Sequence, residues 1–297
     1  MSDKEQDDPL PHTHQRAPLA YENKKFLNGP DGRSLRILSE YLEPLARFRR
    51  ERIQDTIVFF GSARFRSHEE AEAALQQLRR ADGDAPHDQA RLKRGESDLE
   101  MSKYYEAARR LAFLITNWTQ TINQPRHRFV VCTGGGPGIM EAANRGAHEA
   151  HGKTIGLNIN LPFEQVPNAY ITPALNFEFH YFFMRKLWFA YLAKALVVFP
   201  GGFGTFDEMF ELLTLSQTEK LAKHICVVVY GREYWDRVVN FQALVDAGTI
   251  AEKDLNLIHW ANSPEEAFQY LHDDLSRHHL EHSSSVEKEP EIAKTRR

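Results

Sequence analysis

Short runs of apolar residues recur along this chain, separated by longer stretches in which apolar positions fall three and four apart. The runs Ile57–Phe60, Phe129–Cys132, Thr154–Asn158, Ala195–Phe199 and Ile225–Tyr230, with a weaker one at Asn256–Ile258, are mostly continuous rather than alternating. Continuous apolar runs of this length suit strands covered on both faces. Between them, Glu100–Ile122 carries Tyr104, Ala108, Leu111, Ala112, Ile115 and Trp118 at helical spacing. Gly138–Ala150, Tyr181–Lys194, Phe206–Thr218 and Tyr234–Ala247 read as further helices. Alternating strands and helices predict a three-layer, doubly wound, mainly parallel α/β sheet of Rossmann-like kind.

Polar segments bound this pattern. Residues 1–30 contain Pro9, Pro11, Pro18, Gly29 and Pro30, residues 281–297 read EHSSSVEKEPEIAKTRR, and both are expected to be disordered tails. One domain over 31–280, opening with a helical extension, lies between them. Ser67–Glu100 is charged and broken by ADGDAP at Ala81–Pro86, so it reads as a helix plus a mobile loop inserted after the first strand, at about 67–100. The chain has 297 residues, 42% of them hydrophobic, enough for a full core.

Charge and cysteine usage narrow the setting. A net charge of −4 and a pI near 6.4 give no global basic field, so nucleic acid is not an expected partner. The acidic N-terminus is the reverse of a secretory or transit peptide, and no run of about 18 apolar residues occurs. A cytoplasmic protein with no membrane partner is the expectation. Cys132 and Cys226 read as packed free thiols without metal-ligand spacing, and His12, His14, His278, His279 and His282 as solvated residues in or near the tails. No metal is expected.

The chemistry concentrates at two glycine-rich strand-to-helix junctions, VVCTGGGPGIM and VVFPGGFGTFDE. Glycines let the backbone approach an anion, and the first free N–H groups of the following helix point at it. Neither junction fits G-x-G-x-x-G or G-x-x-x-x-G-K-[ST], which argues against a dinucleotide or a P-loop triphosphate and for a monophosphate cradle. The bland alternative is that the glycines only tighten the turns. Thr205 and Glu208 also have the spacing of a capping box, with Thr205 as N-cap, a role compatible with a carboxylate working beside the turn. The segment HYFFMRKLWFAYLAKA is apolar nearly all round and therefore belongs in a core or a subunit interface. Arg185 points away from its Phe183–Leu187–Ala190 stripe and needs a carboxylate or a bound anion as partner.

GGGPGIMEAANRGA, then MRK, then PGGFGTFDE, with Arg185 fifteen residues before Pro200, closely resembles the Lonely Guy family of cytokinin-activating phosphoribohydrolases, historically mislabelled lysine decarboxylases. The family pattern P-G-G-x-G-T-x-x-E matches at every defined position. The likeness runs from about Thr56 to Leu271, and GLNINLPFEQVPNAY and FHYFFMRK are similar to the longer bacterial members, which include nucleosidases of ordinary nucleoside monophosphates.

The resemblance implies hydrolysis of the N-glycosidic bond of a nucleoside 5′-monophosphate, AMP or an N6-modified AMP, to free base and ribose 5-phosphate, by a homodimer and without metal or organic cofactor. It makes Arg185 and Glu208 the catalytic pair. Gly201, Gly202, Gly204 and Thr205 would hold the phosphate, Gly135 and Gly136 would line the pocket, and Ser62 would lie near the nucleotide. The turn after Ser62 departs from short members by continuing as Ala63-Arg64-Phe65. Two other classes compete: a non-catalytic nucleotide or phosphate-ligand binder, and a pyridoxal-dependent decarboxylase, for which Lys186 and Lys194 have no suitable setting.

Overall fold

The five longest apolar runs do become buried parallel strands, and the helices between them cover both faces of one sheet. The computed structural model describes residues 17–81, 86–161, 166–220 and 223–280. Both expected tails beyond these limits, and the centre of the ADGDAP break, lie outside the described residues.

Two units are distinguishable, one ending at Leu42 and one beginning at Glu43, where the sequence pattern placed a boundary at residue 31. In the first unit a 3-10 turn at Ala20–Glu22 and helix α1, Lys24–Asn28, occupy a stretch expected to be disordered. Asn23 caps α1 by accepting from Phe26 N–H at 3.2 Å, and Arg36 Nη1 donates to the carbonyls of Leu27 and Gly29. Local hydrogen bonds of this kind order a segment that composition alone reads as a tail.

Helix α2, Arg33–Arg50, crosses into the second unit and leads to strand β1, Thr56–Phe60. Helices α3, His68–Ala81, and α4, Pro86–Gln120, follow. The segment from Pro86 to Glu100, expected to be a loop, is the first part of a 35-residue helix. It packs back on α3, and this contact replaces the local apolar periodicity that the segment lacks.

The chain then forms β2, Val130–Thr133, α5, Ile139–Glu149, β3, Thr154–Ile159, β4, Asn176–Phe179, α6, Phe182–Leu192, β5, Ala193–Val198, and α7, Phe203–Gln217. Strand β6, Cys226–Tyr230, helices α8, Arg232–Val238, and α9, Phe241–Asp246, strand β7, His259–Ala261, and α10, Pro264–Leu275, complete it. A single predicted helix over Tyr234–Ala247 is thus two, with Asn240 capping the second. The weak strand expected at Asn256–Ile258 is mostly a 3-10 turn, and the strand starts at His259, just past the expected segment.

All seven strands are parallel, in the order β4-β3-β2-β1-β5-β6-β7. The order reverses between β1 and β5, so the crevice for a ligand opens at their C-terminal ends. Among the described residues no helix is long and apolar enough to cross a membrane.

At the opposite ends of the strands a buried ion pair clamps the sheet. Arg128 Nε donates to Asp55 Oδ2 at 2.7 Å, Asp55 Oδ1 accepts from Phe129 N–H at 2.6 Å, and Arg128 Nη2 donates to the His279 carbonyl at 3.1 Å. Both charged side chains are at most 3% exposed. Arg128→Met strands an ionised carboxylate in the core and is expected to lower the unfolding free energy by about 3–5 kcal/mol. Adding Asp55→Asn is expected to restore part of that loss, as read from urea unfolding midpoints.

Candidate functional site

Three loops meet where the strand order reverses, and Ser62 joins them. Following β1, it donates its N–H to the Pro200 carbonyl at 2.9 Å and accepts the Ile139 N–H, the first of α5, at 3.0 Å. Gly138 permits this approach: its φ is +71°, and a Cβ there would press on the Ser62 carbonyl. A Cβ at Gly201 would meet Thr205 Oγ1 and the Ser62 nitrogen. Ser62 Oγ accepts from Arg64 N–H at 3.1 Å, while Phe65 stacks on Tyr104 in the core with ring centroids 6.0 Å apart. Of the departing Ala-Arg-Phe triplet, the aromatic ring therefore serves packing.

The two glycine turns are built differently. After β2, Gly135 N–H is already taken by Thr133 Oγ1 at 3.0 Å, and Asn168 Nδ2 donates to the carbonyls of Gly135 and Gly136 at 3.1 Å each. Thr133 and Asn168 both donate to Asn144 Oδ1 on α5, so the first turn is locked from within. After β5, Gly202 is the extended N-cap of α7, and nothing lies within 4 Å of where a Cβ would stand on Gly202 or Gly204. The first N–H groups of a helix lack intrahelical partners. The second turn accordingly offers amide donors beside open space. Tyr234 on α8 steadies it by donating to the Gly201 carbonyl at 2.9 Å.

The capping box expected at Thr205 does not form. The helix begins at Phe203 with no side-chain cap, because Gly202 takes the extended N-cap conformation and places Thr205 inside the first turn. Thr205 and Glu208 are then three apart on one helical face, and both are buried, at 6% and 8% exposure.

On α6 Arg185 and the apolar stripe lie on opposite faces, as expected, and the stripe is the outward one. Phe183 and Leu187 face solvent, at 50% and 40% exposure, and Arg185 faces the sheet. Arg185 Nε donates to the Leu157 carbonyl at 2.8 Å, its guanidinium carbon lies 5.1 Å from the Phe189 ring centroid, and Nη2 sits where a Cβ on Gly134 would go. Among the described residues it makes no salt bridge. Burial lowers its pKa, and the field of Glu208 opposes the shift.

Burial raises the Glu208 pKa to about 7, against the opposing fields of Lys186 and Arg185. Lys186, absent from the expected site, is the ion-pair partner: its Nζ is 3.5 Å from Glu208, 2.8 Å from Asp207 and also bonded to Glu211. Burial works against its charge, but these carboxylates outweigh burial and raise its pKa. In sequence Lys186 reads only as part of MRK and as a lysine without a Schiff-base setting; its ion pairs arise where α6 and α7 pack together. Cavities elsewhere, such as one of about 620 Å³ lined by Lys103, Tyr104 and Arg232, lack this convergence of open amides and paired charge.

Comparison with known proteins bears on this arrangement. Residues 140–271 match the family described as "Possible lysine decarboxylase". The matched segment holds Arg185, Lys186, the second glycine turn and Glu208, while Ser62, Gly135 and Gly136 precede it. A relative, the cytokinin riboside 5′-monophosphate phosphoribohydrolase LOG2 of Arabidopsis thaliana, is 23% identical over 186 residues, 62% of this chain and 82% of its own length. Among solved structures, the molybdenum cofactor carrier protein of Chlamydomonas reinhardtii is 18% identical over 75% of this chain and 99% of that one, with a TM-score of 0.41. The protein TM1055 is 20% identical over 74% of this chain and 99% of its own, with a TM-score of 0.45.

The raised pKa of Glu208 has a sign in stability. The folded state binds its proton more tightly than the unfolded state, so the contribution is fully present below about pH 4.5 and lost as pH rises through about 7. Glu208→Gln keeps the shape without the charge. It is expected to be more stable than wild type at pH 8 by about 1–3 kcal/mol, with the difference vanishing near pH 4.5. Paired thermal unfolding at the two pH values measures it.

Proposed function

We propose that this protein hydrolyses the N-glycosidic bond of a nucleoside 5′-monophosphate, AMP or an N6-modified AMP, releasing free base and ribose 5-phosphate. One observation carries the reading: Arg185, packed over Gly134 of the first glycine turn and making no salt bridge among the described residues, interacts electrostatically with the buried carboxylate Glu208, whose helix starts from the second glycine turn, with open space at Gly202 and Gly204. The relationship to a phosphoribohydrolase supports the same chemistry.

In this reading Gly201, Gly202, Gly204 and Thr205 receive the 5′-phosphate, through backbone amides and the hydroxyl. The more rigid first turn, with Gly135 and Gly136, walls the pocket, and Ser62 holds the two turns together. Glycosidic cleavage passes through an oxocarbenium-like state, and ionised Glu208 stabilises that cation and orients or deprotonates the attacking water. Arg185 neutralises the anionic substrate and, with Lys186, limits the rise that burial imposes on the Glu208 pKa. Binding at the phosphate positions the sugar, which makes the corresponding nucleoside a poor substrate.

Decarboxylation, the activity in the family's description, fits the site less well. A Schiff-base lysine must shed its proton, whereas three carboxylates hold that of Lys186. Lys223, whose pKa burial lowers to about 7, lies before the N-terminal end of β6, away from the turns, and donates to the carbonyls of Ala190 and Tyr191.

Incubation with AMP, N6-prenyl-AMP and other nucleoside monophosphates is expected to release base and ribose 5-phosphate. Glu208→Gln and Arg185→Ala are expected to lose at least about 100-fold in kcat. The wild-type kcat is expected to fall on the acid side of about pH 7, where Glu208 protonates. Tight nucleotide binding with no turnover by the wild type overturns the hydrolase in favour of a binding protein.

A second copy of the chain is the partner in this reading, covering Phe182, Phe183 and Leu187 on α6, all 40% exposed or more. Light scattering is expected to show a dimer at micromolar concentration and a shift to monomer in Leu187→Asp.

A further inference from the structure

A cluster of metal-binding side chains lies at the N-terminal end of the sheet, remote from the glycine turns. His224 precedes β6, Asp274 is in the last turn of α10, and His278 is in the π-helical turn Ser276–Leu280 that follows. His224 Nε2 is 2.9 and 3.1 Å from the two Asp274 carboxylate oxygens, and His278 Nε2 is 3.8 Å from Oδ1. The two imidazole rings are 4.2 Å apart at their centroids, and one ligand atom from each residue lies within 4.8 Å of the others. We propose that His224, Asp274 and His278 form a binding site for a divalent transition-metal ion of the zinc class.

The distances suit that ion. Tetrahedral zinc with bonds near 2.0–2.1 Å separates its ligand atoms by about 3.4 Å, and the observed spacings to Asp274 fall on either side of this value. Asp274 and His278 stand four apart, on one helical face, while His224 arrives from another element, so the three donors converge from two segments. A plain ion pair accounts for one histidine. One carboxylate balances one imidazolium, and a second ring held 4.2 Å from the first then meets either like charge or no charge at all. A dication satisfies both imidazoles in their neutral form together with the carboxylate.

The surroundings agree with this assignment. The Cys226 thiol, its pKa raised by burial and by the nearby Asp274 carboxylate, adds no competing charge to the cluster. Two imidazoles with one carboxylate select zinc, cobalt or nickel over magnesium and calcium. His224 and His278 are 44% and 41% exposed, which leaves solvent to complete the coordination and admits the ion. The ion would pin the end of α10 to the entry of β6, a role independent of any nucleotide chemistry. Spacing along the chain hides the site, because His224 is fifty residues from Asp274.

The test uses the full chain, freed of metal by EDTA and titrated with Zn²⁺ by calorimetry at pH 7.5. One equivalent is expected to bind at about micromolar Kd or tighter. His224→Ala, Asp274→Asn and His278→Ala are each expected to weaken binding at least about tenfold, whereas combined alanine substitution of His12, His14 and His282 leaves it unchanged. Saturating zinc is expected to raise the Tm of wild type by about 5 °C. Cobalt is expected to give the visible absorption of a four- or five-coordinate site in wild type, a readout that stands even if a variant fails to fold. Absence of a one-equivalent site, binding unchanged in the three variants, or binding lost with the tail histidines overturns the proposal.

Discussion

Everything at the C-terminal edge of the sheet depends on how closely the backbone of Ser62 approaches its neighbours. Its amide and carbonyl tie the Pro200 turn to the start of α5, so two strand-to-helix junctions share one residue as a hinge pin. Gly138 and Gly201 are glycines because a Cβ on either would strike this backbone. Once the turns are this close, Arg185 fills the space over Gly134, and Glu208 on α7 is shut away from water. The charge state of the site is a consequence of that packing. Two cations pull the Glu208 pKa down, and burial still outweighs them.

The two turns look alike in sequence and differ in what their amides do. The first spends its Gly135 N–H on Thr133 and its carbonyls on Asn168, which makes it a stiff wall. The second is fixed from outside by Tyr234 and keeps its helix end open. Satisfied amides give the first loop its rigidity, whereas the helix start in the second has no side-chain cap.

Much of this was legible in the chain. Strands β1, β2, β3, β5 and β6 announce themselves because burial on both faces makes them continuously apolar. Strands β4 and β7 lie at the sheet's edges and are four and three residues long, too short for a period to show. Helix α4 extends through a polar stretch because α3 supplies the contact. T-F-D-E has the right spacing for a cap, yet one extended glycine moves the helix start and turns the supposed cap into a buried first-turn residue. Phe183 and Leu187 read by hydropathy as a stripe for a core or a subunit interface, and with Arg185 bonded to the Leu157 carbonyl of β3 they lie on the outer face. Lys186 and Asn168 act through partners distant in sequence, so their contacts show only in the fold.

The strand order carries a consequence for synthesis. Every strand on one side of β1 is encoded before β5, and every strand on the other side from β5 onward. While the ribosome makes the intervening residues, on the order of ten seconds at ordinary elongation rates, β1 stands at the border of a half-sheet with its TIVFF backbone unpaired. The innermost strand of the finished protein is thus the stickiest edge of the nascent one, and the α3–α4 hairpin lengthens that interval.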